Sequence, residues 1–279
     1  PAGRSYNVAM RLTGVLAPLP TPFNESGALD VTRLRAALPR CVASPLTGFV
    51  VLGTNGDAGL LNEREADTVI AETRAGVPAG RTLLAGTARE STREAIAAAV
   101  RAAERGADAV LVRTPCFFKS QMTPAAFERH YLAIADASPV PVLLYNFTAA
   151  TGVNLLPETV GRLAAHPNIV GIKESGSDIA QMADLVAVAP PGFTVLAGSA
   201  STLQAAWSAG VSGAIVALGG LLPEACVRLF ELMRDGKYQE ALLLSGIDAG
   251  YPRLPLAPAP NSAVDALHAA LHAFEDVFA

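Results

Sequence analysis

Short apolar runs recur along the chain, with amphipathic stretches between them. The runs are "GVLAPLP" from residue 14, "GFVVLG" from 48, "TLLAG" from 82, "AVLVRT" from 109, "PVLLYN" from 141, "IVGIKE" from 169, "TVLAGS" from 194 and "GAIVAL" from 213. Apolar residues are continuous within each run rather than alternating, as in strands buried on both faces of a parallel sheet. Between them, "LDVTRLRAALPRCV", "NEREADTVIAETRAGV", "STREAIAAAVRAAERGA", "TPAAFERHYLAIADA" and "PEACVRLFELMRDG" repeat apolar residues at helical spacing. Helix starts are signalled by Asp30, by Asn62 with Glu65, by Ser91 with Glu94, and by Thr123 before Pro124. Run starts lie roughly 20 to 35 residues apart, which is the period of a strand followed by a helix.

Eight such units predict a closed (β/α)8 TIM barrel, a fold of about 250 residues. The alternative, a doubly wound open sheet, would place a glycine-rich phosphate turn after the first strand. There the chain reads "PLPTPFNESG", with no GxGxxG. The barrel is expected over residues 12–236, with a helical C-terminal extension over 237–279 and a tag remnant or disordered N-terminus over 1–11.

Composition narrows the function classes. The 279 residues are 51% hydrophobic and 16% charged, enough to bury a large core. A net charge of -4 with scattered Lys and Arg gives no footprint for nucleic acid or an anionic membrane. Cys41, Cys116 and Cys226 are odd in number and lack CxxC spacing, so neither a disulfide framework nor a zinc site is indicated. No apolar run approaches the roughly 18 residues that span a bilayer, and no signal-peptide pattern is present, so a cytoplasmic location is expected.

In a barrel, chemistry belongs at the C-terminal ends of the strands. Those ends carry Gly53-Thr54-Asn55-Gly56, Thr114-Pro115-Cys116-Phe117, Tyr145-Asn146, Lys173-Glu174 and Gly198-Ser199. Lysine is among the residues least often buried. Lys173, at the end of an apolar run, should have its ammonium disfavoured and free amine available to attack a carbonyl, as in Schiff-base chemistry. Tyr145 is placed to carry the protons such a reaction moves. The "GTNG" turn, with the Thr54 hydroxyl and Asn55 amide, could cradle a carboxylate. Singly each has a plain reading: a surface or ion-paired lysine, a core tyrosine, an ordinary turn. Their convergence on one mouth favours chemistry.

Together with "LPTPF" (19–23), "GTNGD" (53–57), "RTPCFF" (113–118), "LLYNFTAATGVNL" (143–155), "HPNIVGIKESGSD" (166–178) and "LAGSA" (196–200), these residues resemble one family. It is the pyruvate-dependent class I aldolases and lyases that include dihydrodipicolinate synthase, N-acetylneuraminate lyase and 4-hydroxy-2-oxoglutarate aldolase. The resemblance runs from about Leu12 to Ala241 and resumes at "SGIDAGYPRLPLAP". It implies a TIM barrel, usually a homotetramer built as a dimer of dimers, that uses no cofactor and no metal. It implies that Lys173 forms an imine with pyruvate or another 2-oxo acid, with Tyr145 and Thr54 moving protons. Gly53, Asn55, Gly198, Ser199 and Ile215 complete the expected substrate-binding set, and an aldehyde is the second small-molecule partner.

Departures from the family pattern choose within it. Dihydrodipicolinate synthases carry an arginine for the aldehyde's carboxylate in a "YNxPxRTG" stretch, where this chain has Ala150, and Thr148 replaces the proline. "TPCFF", "HPNIVG" and "LAGSA" look most like 4-hydroxy-2-oxoglutarate aldolases, so retro-aldol cleavage of a 4-hydroxy-2-oxo acid is the expected reaction. A sugar-acid dehydratase, or a dihydrodipicolinate synthase-like enzyme, working through the same imine is the alternative. Phe117 stands where many members place a relay tyrosine entering a neighbouring subunit's site, so a catalytically impaired 2-oxo-acid-binding barrel is the third reading. "KYQEALLLSGIDAG" joins pieces that relatives separate by roughly 35 to 40 residues of helix, so either the chain has lost helices that usually cover the barrel or, the favoured expectation, a segment near residues 241–242 is missing from the sequence. His268 and His272 share one face of an amphipathic helix, Cys116 is expected to pack rather than react, and Arg253 to tie down the C-terminal segment.

Overall fold

Each of the eight apolar runs forms a strand in the computed structural model, which describes residue 10 and residues 12–244. The strands are β1 (Gly14–Pro18), β2 (Gly48–Val51), β3 (Thr82–Gly86), β4 (Ala109–Arg113), β5 (Val142–Asn146), β6 (Ile169–Glu174), β7 (Thr194–Ala197) and β8 (Gly213–Ile215). All pair in parallel with their sequence neighbours, and β8 returns to β1 to close the barrel. The expected (β/α)8 fold is thus the observed one.

Helices α1 (Val31–Ala43), α2 (Glu63–Gly76), α3 (Thr92–Glu104) and α4 (Pro124–Ala137) follow the first four strands. A single turn, α5 (Thr148–Thr151), precedes α6 (Pro157–Leu163), and α7 (Ile179–Val188) and α8 (Leu203–Ser208) complete the middle of the ring. After β8 come α9 (Leu218–Leu221), α10 (Pro223–Arg234) and α11 (Tyr238–Leu244). Caps set several boundaries. Asp30 accepts the Arg33 N–H, Asn62 and Glu65 form a reciprocal capping box, and Thr123 caps α4 ahead of Pro124. Ser91 occupies the cap position of α3 but makes no side-chain cap bond.

Strand parity divides the core in two. On β2, Phe49 and Val51 pack outward under the helices, whereas Val50 packs inside the barrel. The interior is filled by residues such as Leu16, Val50, Leu111, Leu143, Leu196 and Ile215. Glycines leave them room. A Cβ at Gly48 would lie 3.1 Å from Leu16, one at Gly171 2.8 Å from Leu143, and one at Gly213 3.1 Å from Leu196. Large and small positions therefore interlock around the lower barrel, leaving the upper layer for polar groups.

The extension beyond Leu244, with Arg253 and the His268–His272 pair, lies outside the described residues, as do residues 1–9 and 11. The junction near residues 241–242 falls within α11. Among the described residues no helix is long and apolar enough to cross a membrane.

Gly171→Val should overpack the inner layer against Leu143 and the Thr194 backbone. We expect a loss of about 1–3 kcal/mol in denaturant unfolding.

Candidate active site

On β6 Ile172 faces the helices, which turns Gly171 and Lys173 into the barrel. Register pairs Lys173 with Tyr145 on β5 and Leu196 on β7, and pairs Tyr145 with Arg113 on β4. Register partners in a parallel sheet share a face. Arg113, Tyr145 and Lys173 therefore form one inner layer at the C-terminal mouth.

Lys173 is 5% exposed and Tyr145 4%. The Lys173 Nζ lies 4.4 Å from the centroid of the Tyr145 ring, and the Tyr145 hydroxyl shares a 3.2 Å hydrogen bond with Thr54 Oγ1. Burial pulls the Lys173 amine down from its ordinary 10.5 to about 8, with no carboxylate opposing it. At pH 7 about one amine in ten would then be neutral, against about one in 3,000 for an ordinary lysine. The aromatic face favours the cation only weakly, so burial prevails.

Glu174 turns to the other side of the strand. Its carboxylate accepts hydrogen bonds from Asn146 Nδ2 at 2.7 Å, Gln181 Nε2 at 3.0 Å and the Gly176 N–H at 2.6 Å. Burial raises its pKa against the pull of those donors. Asn146 also donates to Asn154 at 2.7 Å and accepts the Leu155 N–H at 3.0 Å. This network joins β5 to β6 directly behind Tyr145 and Lys173. Sequence reasoning passed over it, although its signal was a polar residue immediately after each candidate.

The "GTNG" segment forms a one-turn 3-10 helix over Thr54–Gly56. It is bracketed by two left-handed residues that are not glycine, Leu52 at φ 55° and Asp57 at φ 53°. A leucine there is a strained position of the kind that collects at functional sites. Gly86 makes it feasible, since any Cβ at 86 would run into the Leu52 carbonyl. The turn is also tied to the β1 loop, because the buried Thr21 hydroxyl donates to the Gly56 carbonyl at 2.7 Å.

Gly198 abuts the lysine. A Cβ there would sit 3.0 Å from Lys173 Cε and collide with Ser175. Thr54, Tyr145, Lys173 and Gly198 are thereby brought together, with Ile215 in the same inner cluster as Tyr145. Gly53 is buried beneath the turn, Asn55 is exposed on it, and half-buried Ser199 bonds with Ser201 at 3.0 Å. Ala150 is exposed on α5. Phe117 is 75% exposed and stacks edge-on with Phe118 at 4.9 Å.

A cleft of about 530 Å³ opens at this mouth, lined among others by Gly53, Thr54, Asp57, Arg89, Arg113 and Tyr145. The arginines were not singled out from sequence. Arg113 carries the same signal as Lys173, a cation ending an apolar run. Its Nη1 lies 3.0 Å from the Cys116 sulfur.

A family model described as "Dihydrodipicolinate synthetase family" matches residues 11–246. The chain belongs to the dihydrodipicolinate synthetase family. Within it, the chain is 35% identical over 291 residues to a 4-hydroxy-tetrahydrodipicolinate synthase of Exiguobacterium sp., covering 95% of this chain and 99% of the relative. It is 36% identical over 241 residues to an Emericella nidulans protein described as "Probable 4-hydroxy-2-oxoglutarate aldolase, mitochondrial", covering 85% and 78%. Among solved structures, the dihydrodipicolinate synthase of Acinetobacter baumannii complexed with pyruvate superposes with a TM-score of 0.82 at 28% identity, covering 95% of this chain and 99% of that one. The resemblance read from the motifs is borne out, and the protein is an enzyme of the dihydrodipicolinate synthetase and aldolase family.

The buried amine has a stability signature. Below pH 8 Lys173 is protonated in both folded and unfolded chains, and folding bears the full cost of burying the charge. As pH rises through about 8 towards 10.5 the folded amine is neutral while the unfolded one still binds its proton, so that cost disappears. Lys173→Met should therefore stabilise the protein at pH 7 by up to about 3 kcal/mol. The gain should vanish above pH 10.5, as followed by urea unfolding at several pH values.

Proposed function

We propose that the protein is a Schiff-base-forming lyase that cleaves 4-hydroxy-2-oxo acids, in the manner of 4-hydroxy-2-oxoglutarate aldolase, and releases pyruvate. The observation that carries this reading is the buried, uncompensated Lys173 amine against the Tyr145 ring, with the Tyr145 hydroxyl bonded to Thr54.

In this reading neutral Lys173 adds to the C2 carbonyl of the substrate, and loss of water from the carbinolamine gives the imine. The protonated imine then draws the electron pair of the C3–C4 bond. As that bond breaks, the C4 hydroxyl loses its proton and becomes an aldehyde, leaving an enamine on Lys173. C3 takes up a proton, and water hydrolyses the imine to free pyruvate and regenerate the amine. Tyr145 carries these protons, while the Thr54 hydroxyl holds the phenol in place and shares its hydrogen bond. The Thr54–Asn55 turn receives the C1 carboxylate, with Gly53, Gly198, Ser199 and Ile215 shaping the floor and rim. The exposed Phe117–Phe118 pair is the surface a second copy would cover in a homotetramer, and at residue 117 a phenyl ring passes no proton. Relay beyond Thr54 then falls to water.

The relatives' names support a second reading, condensation of pyruvate with an aldehyde as in 4-hydroxy-tetrahydrodipicolinate synthase. Exposed Ala150 weighs against it, because it supplies no cation where the resemblance expects the aldehyde-binding arginine. Presenting the enzyme with 4-hydroxy-2-oxoglutarate, and separately with pyruvate plus aspartate semialdehyde, distinguishes the two. The lyase reading expects pyruvate and glyoxylate from the first at a rate well above the condensation. Efficient condensation with no cleavage would overturn it.

A further inference from the structure

We propose that Arg113 receives the carboxylate at the far end of the substrate, making this a site for dicarboxylic 4-hydroxy-2-oxo acids. The proposal rests on the retro-aldol reading above. Arg113 closes β4 on the inner face, one strand from Tyr145 and two from Lys173. Neighbouring strands are about 4.8 Å apart, so the Lys173 and Arg113 backbones stand roughly 10 Å apart across the mouth. An acid held at C2 by Lys173 and extended past Tyr145 would carry its C5 carboxylate towards the Arg113 side chain.

The guanidinium has hydrogens to offer. Nη1 donates to the Thr114 carbonyl at 2.9 Å and to the Cys116 sulfur at 3.0 Å, and Nη2 reaches Glu90 at only 3.4 Å. Among the described residues no acceptor meets Nε. Glu90 is itself engaged elsewhere, taking the Cys116 and Phe117 N–H groups at 2.8 and 2.9 Å. Arg113 is thus held in place by its Nη1 edge with Nε still to be paired, and its side chain is 27% exposed, on a cleft wall. Arg89 lines the same cleft but is already spent: Nε and Nη2 both bond Glu63 and Nη1 bonds the Ala88 carbonyl. It contributes field rather than a hand. The Arg89 charge is met by Glu63, the Arg113 charge is met by Glu90 only at 3.4 Å, and the cleft lining itself adds Asp57. A second substrate carboxylate fits the unpaired Nε and the loosely paired Nη2 of Arg113, and a planar fork is the donor suited to it. The site would then recognise the distal group from β4, compensating for the missing cation at Ala150.

The plainer role for Arg113 is to tie down the 114–117 loop, and a substrate pair separates the two. Pyruvate release would be measured from 4-hydroxy-2-oxoglutarate and from 4-hydroxy-2-oxopentanoate, which has a methyl group where the first has its distal carboxylate. The wild type should prefer the diacid. Arg113→Gln should lower kcat/KM on the diacid about 100-fold more than on the monoacid, chiefly through KM. Arg113→Lys, which keeps the charge but not the fork, should recover part of that selective loss. Equal losses on both acids, in either variant, would overturn the proposal and leave the loop-tying role. If Arg113→Gln fails to fold, the Arg113→Lys substrate ratio decides alone, a fall of about 10-fold supporting the proposal and an unchanged ratio overturning it. A wild type that cleaves neither acid would overturn the underlying reaction, and the proposal with it.

Discussion

An amine adds to a carbonyl only after losing its proton, and an ordinary lysine at neutral pH has almost always kept it. In the proposed reaction this constraint is met by position. Lys173 ends a strand whose parity turns it into the barrel, where water is scarce and no carboxylate compensates the charge. The requirement runs through the surrounding packing. Gly171 beneath and Gly198 beside the lysine stem leave it space, and the interlocked inner leucines support the layer from below. The cost of holding a cation there is borne by the stability of the closed barrel.

A reactive amine is useful only if its partners are held still. The Asn146–Glu174–Gln181–Asn154 network fixes β5 against β6 on the face away from the barrel interior. It satisfies buried polar groups that would otherwise destabilise the same stretch of sheet. Across the mouth, the strained Leu52–Asp57 segment holds Thr54 against the Tyr145 hydroxyl. One end of the cleft is set by rigid strands and the other by a loop in a conformation the rest of the fold enforces.

Much of this was legible in the chain. All eight strands start within one residue of where the apolar runs begin, because strands buried on both faces are written as unbroken Val, Ile and Leu. Helices α6, α7 and α8 were harder to read, being 7, 10 and 6 residues long, too short for a clear helical period. Lys173 and Tyr145 stood out as polar ends of apolar runs. Arg113 has the same signature, yet it was read only as part of a motif, and its contacts with Cys116 and Glu90 depend on loops that meet only in the fold. The Ser91 cap bond failed for a related reason: residue type marks a place where a bond can form, and local geometry decides whether it does. Leu52 carries no sequence signal, since its left-handed backbone is imposed by the turn and made possible by Gly86 from another strand.

In the proposed function Lys173 is the amine that captures a 2-oxo acid. Incubation with pyruvate and borohydride, followed by intact mass and peptide mapping, tests it directly. The account predicts a single reduced adduct on the peptide that contains Lys173, absent from Lys173→Ala. A folded wild-type protein that acquires no adduct, or one that carries it on another lysine, would contradict it.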